Sequence, residues 1–359
     1  MCTMIKKTII FVLLMLMVGL SLVFADGPRV LKDLKKPDML RVDKDELYVI
    51  QGTTILVYSL KDFNLIRKFG KAGYGRGELS RVAEWPNLIR VYNDHILVET
   101  SDKLVYFTKE GKFSKEIRRP RNSALFIPVG NHFVGKIYLH DKSANIQYMR
   151  VVICDSQLNE IKEIYKQKWF QQYRPKGFQI QLFSDYLNFE VYDDKIFIEE
   201  SPMGMFIEVY DSDGNKLYQI KKPYEKIKVT EADKETATAE LREDEKAHLM
   251  IRQLGSWEKV LEVMDILFPV FKPPIRNIEI NNDKLYVQTF KQQDNKDEFI
   301  VMDLKGNILK TVFLPLGNRP GVEDKIRSVK YYTIANDKIY YLKENKEKKV
   351  WELYVKEIE

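Results

Sequence analysis

One short pattern recurs along this 359-residue chain and limits what it can fold into. A polar turn closing on Asp or Asn leads into an apolar strand. The copies are "VDKDELYVI" (42–50), "VYNDHILVE" (91–99), "VYDDKIFIE" (191–199), "INNDKLYVQ" (280–288) and "IANDKIYYL" (334–342), with a weaker one, "VGNHFVGKIYL", at 129–139. Asn-Asp, Asp-Asp and Asp-Lys accept a tight-turn backbone, and the strand after the turn alternates its faces, so each copy predicts a β-hairpin. A second pattern follows each of the first five anchors: strand, polar turn, strand, as in "FIEVYDSDGNKLYQI" and "FIVMDLKGNILKTVF". Lys109-Glu110-Gly111, Asp213-Gly214 and Lys305-Gly306 are the predicted turns of these second hairpins.

Each unit therefore holds four antiparallel strands, and six such units predict an all-β, six-bladed β-propeller. The sixth copy, "WELYVKEIE", stops before its last strand, while "GPRVLKDLKKP" (27–37) has no repeat partner. That N-terminal segment is expected to supply the missing strand and close the ring, removing edges that invite aggregation. Composition agrees: 20 Tyr and 19 Phe exceed 17 Gly and 13 Pro, and aromatic residues suit half-buried pleated surfaces.

Residues 230–267 interrupt the repeat with "TEADKETATAELREDEKAHLMIRQLGSWEKVLEVMDIL". Thr230 and Asp233 form a capping-box-like pair, Leu241, Ala247 or His248, Ile251 and Leu254 make a rough apolar stripe, and Gly255 and Ser256 separate a second helix. "FPVFKPP" then stops it. A helical insertion between blades four and five is expected, serving as a lid or docking element or packed as a decoration on the rim.

"FGKAGYGRGELS" (69–80) is the most glycine-dense stretch. A dinucleotide loop needs G-x-G-x-x-G opening a helix, and a P-loop needs a Lys-Ser/Thr pair. The spacing Gly73-x-Gly75-x-Gly77 runs instead into "ELSRVAEWPNLIRVY", which has no helical period. It is read as a blade-to-blade connector, with glycine taking positive φ; Tyr74 and Arg76 between the glycines are possible ligand contacts. The arrangement resembles the NHL-repeat and TolB-type six-bladed propellers of bacterial envelopes over most of residues 27–359, with "FGKAGYGRGELS" the segment closest to the NHL inter-blade pattern.

The first 25 residues differ from the rest. A basic head with Lys6 and Lys7, an uncharged apolar run and a V-x-A exit at Val23–Ala25 read as a secretory signal peptide. The same run is long enough to act as a membrane anchor if retained. With 1–25 removed, 26–359 form the propeller, no membrane span remains, and the expected location is periplasmic or extracellular. Loss of Lys6 and Lys7 takes the net charge from +6 to +4, and lysine and glutamate are interspersed, so no nucleic-acid face is evident. Cys154 is then the single cysteine and cannot form an internal disulfide; a buried thiol is expected.

Catalytic motifs are absent. His95, His132, His140 and His248 form no H-E-x-x-H, no G-x-S-x-G occurs, and "DSDGN" (211–215) lacks the later glutamate of a calcium loop. No catalytic residue, metal ligand or cofactor is assigned. Residues ahead of or within the inner strands form a candidate ligand-binding set at the channel mouth: Trp85 and Arg90, Arg174 and Lys176, Arg276 and Asn277, Arg327 and Lys330. A monomeric binding or scaffold module for a protein, peptide or glycan is the expectation. The alternative is a metal-dependent hydrolase or lyase, with acidic, amide or histidine ligands converging on the central channel.

Overall fold

The computed structural model describes residues 27–359, apart from 82–85, 93, 142, 144–145, 170–177, 184–186, 201–203, 244 and 317–330. The signal-peptide reading of 1–25 lies outside the described residues. Six four-stranded antiparallel sheets span 39–69, 88–118, 123–169, 188–222, 277–314 and 332–357. In the last, Arg29–Val30 is the fourth strand, pairing with Val350–Glu357 through Arg29 opposite Leu353. The inner strand of blade six, Tyr332–Ala335, lies against that of blade one, Met39–Asp43, and the ring is closed.

Turn chemistry explains why the chain reverses where it does. Asp193-Asp194, Asn282-Asp283 and Asn336-Asp337 all have positive φ at both positions, the backbone of a two-residue hairpin loop. The second hairpins share another device. The first carboxylate of "DSQLN", "DSDGN" and "DLKGN" bridges to the asparagine four residues on. Asp211 accepts from the Asn215 backbone N–H at 2.8 Å and side-chain amide at 3.1 Å, and Asp155–Asn159 and Asp303–Asn307 repeat this. The "DSDGN" carboxylate is thus committed to its own turn. A register shift beside each turn, as between Val209 and Tyr210, marks the accompanying bulge.

The second strands are buried on both faces, not on one as alternation predicted. In Glu46–Gln51, Leu47 and Val49 pack with blade six, while Tyr48 and Ile50 pack toward blade two. A strand sandwiched between neighbouring sheets must be apolar throughout, which accounts for the near-continuous "LYVI", "IFI" and "IYYL" runs.

The glycine stretch is a connector, as its spacing implied. Leu79 is buried and its N–H donates to the Lys71 carbonyl at 2.7 Å. Glu78 folds back to accept from Gly75 N–H at 3.0 Å and pairs with Lys71 at 2.6 Å. Gly70 has φ +95, and a Cβ there would lie 2.4 Å from the Thr53 carbonyl oxygen.

The insertion differs from its expected outline in two respects. The helix from Thr230 ends at Arg242 instead of running to Leu254, giving α1 (Glu231–Arg242), α2 (Glu245–Leu254) and α3 (Trp257–Val263). Its last residues, Met264–Leu267, form a strand parallel to Phe178–Gln181 in a separate two-stranded sheet. Met264, Ile266 and Ile180 join Ala247, Trp257 and Val260 in a small core; this burial draws the segment out of helix. The capping box forms as predicted.

Leu31 is 2% exposed in the blade-one and blade-six core, and Tyr58 Oη donates to the Lys32 carbonyl at 2.6 Å. Leu31→Ala is expected to destabilise the fold by about 3 kcal/mol, measured by urea unfolding; an unchanged midpoint would show that the N-terminal strand does not hold the ring.

Candidate functional site

Four of the six inner strands place a charged residue at the same depth. Arg41, Arg90, Glu190 and Glu279 sit opposite Tyr48, Leu97, Phe197 and Tyr286, which occupy one register position of their second strands. Arg90 Nη1 lies 3.8 Å from Glu190 Oε2. These belong to blades two and four, so the contact joins two blades that are not neighbours in the ring. Burial pulls the Arg41 guanidinium below its usual value, against the opposing charge of Glu279. Glu279 accepts from Thr333 Oγ1 at 2.9 Å and Ile334 N–H at 2.7 Å, tying blade five to six. Two guanidinium groups and two carboxylates make this axial cluster neutral. Among the described residues no three His, Cys, Asp or Glu side chains are grouped as a metal ion would require.

A second set of buried polar groups sits near the channel ends of the second strands: Glu99, Lys136, Glu199 and Gln288. Glu99 accepts from the Leu125 and Phe126 N–H groups at 2.7 and 2.9 Å and pairs with Arg119 at 2.8 Å. The inner strand of blade three bulges between Ala124 and Ile127, and the carboxylate caps the N–H groups of the bulge. Lys136 is 2% exposed; burial lowers its amine to about 8, opposed by the charges of Glu199 and Glu99.

Of the sequence-selected residues, Arg90 belongs to the axial cluster. Asn277 donates to Tyr332 Oη at 3.0 Å, and Tyr332 donates to Gln288 at 3.1 Å. Arg276 lies 3.7 Å from Asp297 and stacks over Phe290 at 5.6 Å. Arg276 and Asn277 thus share one neighbourhood at the junction of blades five and six. Trp85, Arg174, Lys176, Arg327 and Lys330 lie outside the described residues. Tyr74 is 75% exposed, and Arg76 lies over Phe113 at 5.3 Å. Cys154 is fully buried, and burial raises its thiol to about 12.

The open concave site is elsewhere. Two tracts flank the insertion, "KKPYEK" (221–226) and "FPVFKPP" (268–274). They come together where Val229 N–H donates to the Val270 carbonyl at 3.1 Å and Lys272 N–H to the Ile227 carbonyl at 2.8 Å. Between this stem and blade four lies a cavity of about 810 Å³, within the range that holds a small ligand or a short peptide segment. Its apolar wall includes Phe183, Phe206, Tyr224 and Phe271, and Pro273 and Pro274 stiffen one rim. Lysines stand over the rings: Lys221 over Phe206 at 5.1 Å, Lys226 over Phe271 at 5.5 Å, Lys272 over Phe183 at 5.3 Å. Lys272 also pairs with Asp233 of the α1 capping box at 2.7 Å, so the insertion positions one wall. The repeat pattern does not mark this site because most of its wall comes from the segments that flank the insertion, with only Phe206, Lys221 and Lys222 from strands of blade four; the Pro-aromatic-Lys tracts were the available signal.

No protein-family model matches the sequence, and no curated protein does. Solved structures are similar at low level. A member of the DUF4221 family from Bacteroides vulgatus has 11% identity over 92% of this chain and 95% of that one, with a TM-score of 0.44. The computationally designed Ika8 protein has 8% identity over 91% and 99%, with a TM-score of 0.41. BamB from Moraxella catarrhalis has 9% identity over 88% and 71%, with a TM-score of 0.30. At such scores the fold rests on the strand topology, not on these likenesses.

Two outcomes follow from the polar interior. Glu279→Gln removes a charge beside Arg41 and is expected to cost about 3 kcal/mol in chemical denaturation; a loss near zero would show that the axial pairs contribute nothing. The Lys136 amine, at about 8 when folded against its ordinary 10.5, is charged in both states at neutral pH. As pH rises above 8 the folded state releases its proton first, so this lysine's contribution to stability increases up to 10.5. The stability of wild type relative to Lys136→Met should therefore improve between neutral pH and pH about 9.5; a pH-independent difference would overturn the assignment.

Proposed function

We propose that this chain is an exported binding module of the cell envelope, acting as a monomer, with the cavity beside the helical insertion as its working face. The observation that carries the binding reading is the cavity itself. The ring closes without the insertion, yet the two proline-aromatic tracts that flank the insertion wall an open recess. Val270 and Phe271, 68% and 43% exposed, stand at its edge, where apolar exposure is costly unless a partner covers it. Export is supported by the basic head, apolar run and V-x-A exit of residues 1–25, and the envelope setting by the resemblance to NHL-repeat and TolB-type propellers. Among the described residues, no helix is long and apolar enough to cross a membrane.

A photoreactive phenylalanine at Val270 should give a discrete cross-linked adduct in cells. The same residue at Ile161, 57% exposed on an outer strand, should give none. Adducts at both sites, or none at Val270, would defeat the binding assignment. Protein recovered from envelope fractions should begin at Asp26 by intact mass; full-length protein confined to the cytosol would defeat export.

A further inference from the structure

We infer that the cavity beside the insertion takes an acidic peptide segment in which carboxylates alternate with apolar side chains. This rests on the cavity being the binding face proposed above, and names what it recognises.

The charge of the lining is one-sided. Lys221, Lys222, Lys226 and Lys272 contribute to it, and among the described residues no Asp or Glu does. Only Lys272 has a carboxylate partner among the described residues, Asp233. Lys221, Lys222 and Lys226 therefore line the recess without an ion-pair partner among the described residues. In a cleft with low-dielectric walls such charges draw anions in. Lys221 and Lys226 stand over Phe206 and Phe271, so an incoming carboxylate meets an ammonium group beside an aromatic surface. The matching ligand carries negative charge and apolar bulk at close intervals.

The remaining lining favours a peptide over other polyanions. Among the described residues, Gln181 and Tyr224 are the only neutral polar side chains in the wall, beside phenylalanines, prolines and Val270. A uronate-rich glycan brings many hydroxyls, and burying a hydroxyl without a hydrogen-bond partner is costly. An anionic bilayer presents a broad surface, and the lysines here converge on a recess of about 810 Å³. A segment of a few residues, with apolar side chains against Phe183, Phe206 and Phe271 and carboxylates toward the lysines, leaves neither mismatch.

The test uses the chain from Asp26 onward and fluorescence anisotropy. The probe is a labelled octapeptide alternating aspartate with phenylalanine. It should bind saturably and more weakly as salt rises. Lys221→Glu/Lys226→Glu, both at exposed positions, should weaken it by about tenfold or more with an unchanged melting temperature. Phe271→Ser should weaken it too, and Lys162→Glu, on an outer strand of blade three, should not. The inference is overturned if the lysine–phenylalanine octapeptide binds equally well. It is also overturned if an oligogalacturonate or phosphatidylglycerol vesicles bind as tightly as the acidic peptide, or if the double charge reversal has no effect. A Val270 adduct in cells together with failed peptide binding would leave the binding face standing and refute this ligand class alone.

Discussion

The second strand of each blade is the element on which the molecule depends. Its side chains are buried on both faces, one set against the preceding sheet and the other against the following one. No blade can bury its own apolar surface, so stability is a property of neighbouring pairs and finally of the closed ring. This explains how polar groups survive so close to the core. Glu99 at the end of one such strand meets backbone N–H groups of the next blade, and Gln288 meets the Tyr332 hydroxyl of blade six. A buried polar group is tolerable where the adjacent sheet supplies its partner.

The axis shows the same economy in charge. Arg41, Arg90, Glu190 and Glu279 come from four blades and occupy one level. Arg41, Arg90 and Glu190 are part-buried and Glu279 is buried, and together the four charges offset one another. The recess beside the insertion has the opposite character, with cations that its own wall does not neutralise.

The fold was largely legible because turns and strands repeat with local chemistry. Asp-Asp and Asn-Asp demand a particular backbone, and "DSDGN" ties its turn through Asp211 whatever surrounds it. Even the closing strand was visible as a segment without a repeat partner. The strand at Met264–Leu267 was not, because its pairing with Phe178–Gln181 joins residues 86 apart in a parallel register that no local pattern encodes. The recess was hidden for a related reason. Phe183, Phe206 and Phe271 read individually as core or punctuation, and acquire a common role only once two separate connections meet a strand of blade four. Arg276 and Asn277 were visible as residues preceding and opening an inner strand, but their partners Asp297 and Tyr332 lie in other hairpins.

The pairing of Arg29–Val30 with Val350–Glu357 joins the two ends of the described chain in one sheet. A chain synthesised from its N-terminus must hold Leu31 and Leu34 in waiting until the last strand emerges. During that interval the facing edge of blade one lacks its neighbour, and Leu40, Leu47 and Val49 have nothing to cover them. Maturation is therefore timed by the arrival of the C-terminal strand, and the window before it is when the chain is most open to proteases and to pairing with other copies of itself. A circular permutant with new ends in an inter-blade connector would move that window without altering any blade.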